Sequence, residues 1–294
     1  MWIVIAVLAT LPLEAHETTG AISGTITSQD GMPLPAAIVR IIDPETGLDQ
    51  RRQSGSDGRF RFNALPPASY ELSATRDGFK SVTRSIRVDL GRTVTSDIEM
   101  EIGVVTEQIE VTAATPQIDV TSTVAGMSTN ADDLLAALPI HREIIHVALL
   151  APGTYVSDTN WQVPGAMGMF TPGQEFVSFS GSSFGENAYL VNGLSITNFR
   201  RMLGSSFVPM EFVEEVEVKT GGYEAEFGRS TGGVINMVSK RGTNSLRGGL
   251  SAYWQPDSLR EQSPNTRWRD GEEEEREAIE INASLGGPII RDRL

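Results

Sequence analysis

The run HREIIH, with His141, Glu143 and His146, is the chain's nearest approach to a metal site. One helix offers zinc two nitrogens and a general base when its histidines are four apart on a shared face. Here they are five apart, about 140° around a helix axis, so the side chains diverge and the run reads as ordinary helix. The third histidine, His16, lies among the first 17 residues, just after the apolar run 2–13, and there is no cysteine to supply a thiolate or a disulfide. No G-x-x-x-x-G-K-[ST] run is present to cradle a phosphate. Arg229 sits between Gly228 and Ser230 in a glycine-rich segment and has two readings, an exposed turn arginine or one half of a buried ion pair. The chain therefore reads as a non-enzyme that needs no cofactor and no metal. With 24 Lys plus Arg against 38 Asp plus Glu, its net charge of -14 opposes nucleic acid as a partner.

The elements that carry Arg229 lie in residues 213–240, VEEVEVKTGGYEAEFGRSTGGVINMVSK. Residues 215–219 alternate with the period of a half-buried strand, Gly221 and Gly222 end it, and residues 234–238 resume an apolar strand. Gly228, Gly232 and Gly233 supply positions where positive φ or close backbone approach is needed. This ordered block resembles the C-terminal half of the plug domain of TonB-dependent outer-membrane receptors. The family's acidic-apolar strand, glycine pair, aromatic-glycine and GGVIN-plus-basic run correspond here to VEEVEV, Gly221-Gly222, Phe227-Gly228, and residues 232–236 followed by Lys240.

Residues 20–102 form short alternating segments between turn residues, the pattern of a small β-sandwich. In RFRFNAL, Phe60 and Phe62 share a core face and Arg59 and Arg61 a wet one. About seven strands are expected. GAISGTITSQDGMPLPAAIVRI and SDGRFRFNALPPASYELSATRDGF resemble the carboxypeptidase regulatory-like domain, a prealbumin-like sandwich related to carbohydrate-binding-like folds. Ala68 stands where that family usually has glycine, which puts the turn before Tyr70 in question.

The strip VVTEQIEVTAA, residues 104–114, is β-prone and has no glycine or aromatic anchor, as expected of a linker strand. Glu107, Gln108, Ile109, Glu110, Val111, Thr112 and Ala113 resemble a TonB box, which implies pairing with TonB by β-augmentation. A last sandwich strand followed by linker is the other reading. Beyond it, DDLLAAL predicts a short helix capped by Thr129 or Asn130 and stopped by Pro139, and residues 142–150 predict a second. LPIHREIIHVALLAPGT is similar to the start of the family's plug. SFSGSSFGENAYLVNGLSITN predicts a hairpin with Asn192-Gly193 in a type I′ turn.

Residues 247–255 and 278–285 each approach the length of a tilted outer-membrane strand. In the second, Ile279, Ile281, Ala283 and Leu285 share one face. Two strands cannot close a barrel, and a full receptor has about 22, so a truncated barrel is expected. The apolar residues 2–13 suit a signal-peptide core but lack a basic n-region, leaving an upstream start or a buried strand as alternatives.

The resulting expectation is a mostly β chain. It comprises a signal peptide (1–17), a prealbumin-like β-sandwich (18–103), a TonB box and linker (104–114), an α+β plug (115–242) and the first strands of a truncated transmembrane β-barrel (243–294). The resemblance implies energy-coupled import in the outer membrane of a Gram-negative bacterium, with the sandwich in the periplasm. Its implied partners are TonB with the inner-membrane energising complex and an extracellular ligand whose identity the sequence does not carry. Asn192, Gly193, Gly221, Gly222 and Tyr223 are the candidate ligand-side loop residues, and Arg229 is the candidate plug–barrel lock. The alternative is a periplasmic or secreted sandwich module that binds carbohydrate or protein without transport.

Overall fold

The computed structural model describes residues 18–103, 108–111, 123–138, 140, 142–156, 176–198, 206, 208–259 and 277–290. The sandwich contains eight strands: β1 (Gly20–Ser28), β2 (Ile38–Ile42), β3 (Asp49–Gln53), β4 (Arg59–Leu65), β5 (Ala68–Thr75), β6 (Ser81–Val88), β7 (Thr93–Thr95) and β8 (Ile98–Met100). β4, β1 and β7 form one sheet, with β8 also on β1; β3, β2, β5 and β6 belong to the other, whose last strand is β9 (Gln108–Val111). Phe60, Phe62, Tyr70 and Leu72 lie with Ile22, Ile26 and Val39 in the core between the sheets. Arg59 and Arg61 are exposed, as the alternation requires.

Sequence pattern misses β3. DQRRQ carries no apolar residue, and it is a strand only because its main chain pairs with β2 in register from Ile38↔Gln53 to Ile42↔Asp49. Ala68 proves compatible with the turn that precedes it. It opens β5 without positive φ, and the Tyr70 hydroxyl donates to Pro66 O at 2.7 Å. Burial pushes the Tyr70 phenol up to about 12.

The plug sheet runs β10 (Ala125–Asn130), β15 (Val213–Gly221), β16 (Val234–Ser239), β13 (Ala188–Val191) and β14 (Leu194–Ser195), and a small separate sheet pairs β11 (Thr154–Val156) with β12 (Val177–Phe179). α1 (Ala131–Ala137) follows β10. Of the two expected caps, Asn130 is the one that accepts from Asp133 N at 3.1 Å. Pro139, the expected stop, lies outside the described residues. α2 (Ile144–Ala148) is shorter than the 142–150 expected, because Glu143 takes an extended conformation at its N-cap and Leu150 and Ala151 turn back on Val147 and Ala148. Ala131, Val147 and Ala148 pack with Val216, Val218, Ile235 and Met237, so one face of β15 and β16 is sealed by the two helices.

β15 departs from the half-buried expectation. Glu215, Glu217 and Lys219 are 0%, 6% and 1% exposed. The face opposite the helices is covered as well, by the turn between β6 and β7: Glu215 accepts from the Leu90 backbone, and a Cβ on Gly91, at φ +66°, would overlap the Glu217 carboxylate. Periodicity registers two faces on a strand and is blind to what a distant turn places against the polar one.

β17 (Arg247–Gln255) and β18 (Ala278–Gly286) form an antiparallel pair in a second compact unit. Leu250, Ile279, Ile281 and Leu285 are all exposed. Among the described residues no helix is long and apolar enough to cross a membrane, which says nothing of strands.

Candidate functional site

The segment joining β15 to β16 is built around a buried ammonium. Lys219 Nζ lies 3.5 Å from Glu217 Oε1, 3.0 Å from Glu224 Oε2 and 4.4 Å from the centre of the Phe227 ring. A buried cation is stable only when paired, and an aromatic face adds to its carboxylate partners. Burial raises the Glu224 carboxyl, but a hydrogen bond from its own backbone and the nearby ammonium outweigh this and leave it lowered. Tyr223 closes the segment by donating to Gly232 O at 3.0 Å, with its ring edge-on to Phe227 at 6.4 Å.

Of the glycines here, Gly222, Gly232 and Gly233 are required by contact or conformation, and the expected need at Gly228 is not met in the structure. Gly222 has φ +67°, and a side chain there would overlap Thr123 O. Gly233 lies flat against Phe179, where a Cβ would overlap the ring. Gly221 and Gly228 have open space around them. Arg229 is exposed and has φ +60°. Asn187 escapes the sequence reading altogether. It is 2% exposed, donates to Val177 O at 2.7 Å and accepts from Gly233 N at 3.2 Å, tying the glycine segment to β12. A lone Asn beside a strand carries no sequence signal for such a role.

The Asn192-Gly193 turn has φ +49° and +76° at its two central residues, the type I′ signature, and Val191 pairs with Leu194 across it. The Asn192 side chain donates to Ser239 Oγ at 2.8 Å and accepts from Ser239 N at 3.0 Å, which fastens the hairpin to the end of β16. The five candidate loop residues thus fall at opposite ends of one sheet, Asn192 and Gly193 beyond β13 where β16 ends, and Gly221, which closes β15, with Gly222 and Tyr223 where β16 begins.

Gln108, Ile109, Glu110 and Val111 form β9, which pairs in parallel with β6. Glu107, Thr112 and Ala113 lie outside the described residues, as do residues 1–17 and His141. Part of the strip is thus a sandwich edge strand, the second of its two readings.

One catalytic letter pattern needs the structure to be judged. Residues 181–185 spell G-x-S-x-G, the nucleophile-elbow pattern, which needs its serine exposed on a sharp strand-to-helix turn. Ser183 instead caps the 3-10 turn Phe184–Glu186, accepting from Gly185 N while the Glu186 carboxylate accepts from Ser183 N at 2.8 Å. This is a capping box, and its hydroxyl serves the backbone.

Comparison with known proteins agrees with this layout. Residues 21–101 match the family model of the carboxypeptidase regulatory-like domain and residues 150–234 that of the TonB-dependent receptor plug domain. The chain is 32% identical, over 95% of its length, to the TonB-dependent transporter Oar of Myxococcus xanthus, and it spans 26% of that relative. It is 30% identical to the ferrienterobactin receptor of Escherichia coli K12 over 29% of its length and 10% of that protein. These relatives are transporters and receptors, not enzymes. Among solved structures, the Bacillus anthracis TIE protein aligns at a TM-score of 0.27 and 16% identity over 29% of this chain and 17% of its own, too distant to bear on function. Residues 21–101 are therefore a carboxypeptidase regulatory-like domain and residues 150–234 a plug domain of the TonB-dependent receptor family.

Proposed function

We propose that this chain forms the energy-coupling and gating part of a TonB-dependent importer in the outer membrane. The sandwich stands in the periplasm, the strip Glu107 to Ala113 is the strand offered to TonB, and the plug controls passage of an extracellular ligand. One observation carries the reading: a strand whose main chain can be recruited by a partner sheet directly precedes a plug fold in the same chain. In β-augmentation the main chain supplies the affinity, which fits a strip without aromatic anchors. Force applied there reaches β10 and, through its ladder to β15, the glycine segment next to Lys219. Asn192 and Gly193 at one end of the plug sheet and Gly221, Gly222 and Tyr223 at the other border the ligand path along it, and Arg229, exposed on its turn, faces the barrel wall as the lock. Domain limits of 18–103, 104–114 and 115–242 follow from this division of labour.

The alternative of a carbohydrate-binding sandwich needs an exposed aromatic platform. Phe60, Phe62 and Tyr70 are buried in the core, and Phe79 is half-buried beneath the Arg76 guanidinium.

The test is binding of the purified chain to the periplasmic C-terminal domain of TonB, with Ile109→Pro/Val111→Pro as the comparison. Proline removes the N–H that the ladder requires. Binding by the parent and loss of at least tenfold in the variant is expected; equal binding by both would reject the box.

A further inference from the structure

The chain enters the box strip already fastened to the sandwich. Lys80 N donates to Glu101 O at 2.8 Å, Gly103 N donates to Gly78 O at 3.1 Å, and Phe79 bridges Ile102. The strip then lies along β6 in register Ser81↔Gln108, Val82↔Ile109, Thr83↔Glu110 and Arg84↔Val111. β9 is the terminal strand of the five-stranded sheet β3-β2-β5-β6-β9, and among the described residues no strand occupies its other edge.

A strand has two edges, since alternate residues direct their main-chain groups to opposite sides. Pairing with β6 uses one and leaves the other able to accept a further strand. We propose that the outer edge of β9, while β9 remains on β6, is the docking edge for an extended strand of TonB, so that sandwich, box and partner share one continuous sheet. The inference rests on the receptor reading above and adds a role for the sandwich: it presents the box instead of spacing it. An unstructured strip loses backbone freedom when it pairs, and a strip already held extended has met that cost before the partner arrives. The acidic strip sequence, in a chain of net charge -14, favours a basic partner segment.

The absence of cysteine from the natural sequence makes a direct test possible. Ser81→Cys/Gln108→Cys in the full chain joins two register partners, and adjacent strands bring Cα atoms within disulfide reach. Thr83→Cys/Glu110→Cys is the second pair, in case the first folds poorly. Oxidised and reduced forms are then titrated with the TonB C-terminal domain. The disulfide is expected to form well above single-cysteine controls, and the locked chain to bind within threefold of the reduced chain or more tightly. A tenfold or greater loss on locking, restored by reductant, would show that β9 must leave the sheet; this overturns the proposal and leaves the receptor reading intact. Failure of both pairs to cross-link in a folded chain would overturn it as well. Absence of binding in both redox states and in the parent would reject the receptor reading and the proposal together. Doubling of the chain's own mass through this edge, undisplaced by TonB, would assign the edge to a second copy.

Discussion

Lys219 is 1% exposed, and what surrounds it sets the cost of changing it. Glu217 is as deeply placed, whereas Glu224 is 48% exposed at its side chain and is solvated whether or not it has a partner. Lys219→Met keeps the length and apolar stem but removes the ammonium that Glu217 and Glu224 face, and taking one partner from a buried ion pair costs roughly 3 to 5 kcal/mol. Urea unfolding should register a loss of that order, and Lys219→Met/Glu217→Gln should recover more than half of it. A single variant as stable as the parent would mean that Glu217 does not depend on the ammonium and is held by its other neighbours. The sequence makes the glycine segment visible through its spacing but leaves the ion pair hidden. Alternation assigns Glu215, Glu217 and Lys219 to a wet face, and only their three-dimensional neighbours reverse that.

The β13–β14 hairpin shows how local chemistry and tertiary contact divide one element. Asn-Gly fixes the turn type, because both central residues need positive φ and these two tolerate it best. That Asn192 must be Asn and not Gly follows from Ser239, forty-seven residues away, to which it is joined by two hydrogen bonds. Asn192→Gly keeps the turn and loses both bonds, for an expected cost of about 1 to 2 kcal/mol. Asn192→Ala loses them too and adds about 1 kcal/mol of left-handed strain. Thermal unfolding should therefore rank the chains parent, Gly, Ala. An Ala variant equal to the Gly variant would show that the strain is relieved by another turn type. Elements with a strong local signal, such as α1 with its Asn130 cap, are legible in advance. β3 is not, since pairing with β2 is what makes it a strand, whereas residues 108–111 read as β-prone in advance and only their place beside β6 is new.

Sandwich and plug lie in one compact unit, and Glu215 is one of the residues at their contact, together with Glu217, which lies against Gly91, and Arg241, which donates to Pro67 O at 3.1 Å. Burial pushes its carboxyl up to about 7, with the Asp89 carboxylate adding to the rise; the Leu90 backbone, Ser128 and Arg87 act in the opposite sense. A carboxyl higher in the folded chain than in the unfolded one binds its proton more tightly when folded. The stability this gives is fully present below the unfolded value of 4.5 and is lost as pH rises through about 7. The loss falls on the contact, because ionised Glu215 on β15 faces Asp89 of the sandwich, with Arg87 opposing that repulsion in part. A protease site placed in the 112–122 connection allows the two domains to be cut apart and their association read by size. Co-elution is expected at pH 5.5 and substantial separation at pH 8.5. Glu215→Gln, which keeps the shape of the protonated acid, should hold the pieces together at both. If the parent pieces associate equally at the two pH values, the Glu215 proton does not govern the contact. If the Gln variant separates like the parent at pH 8.5, the pH effect belongs to another group.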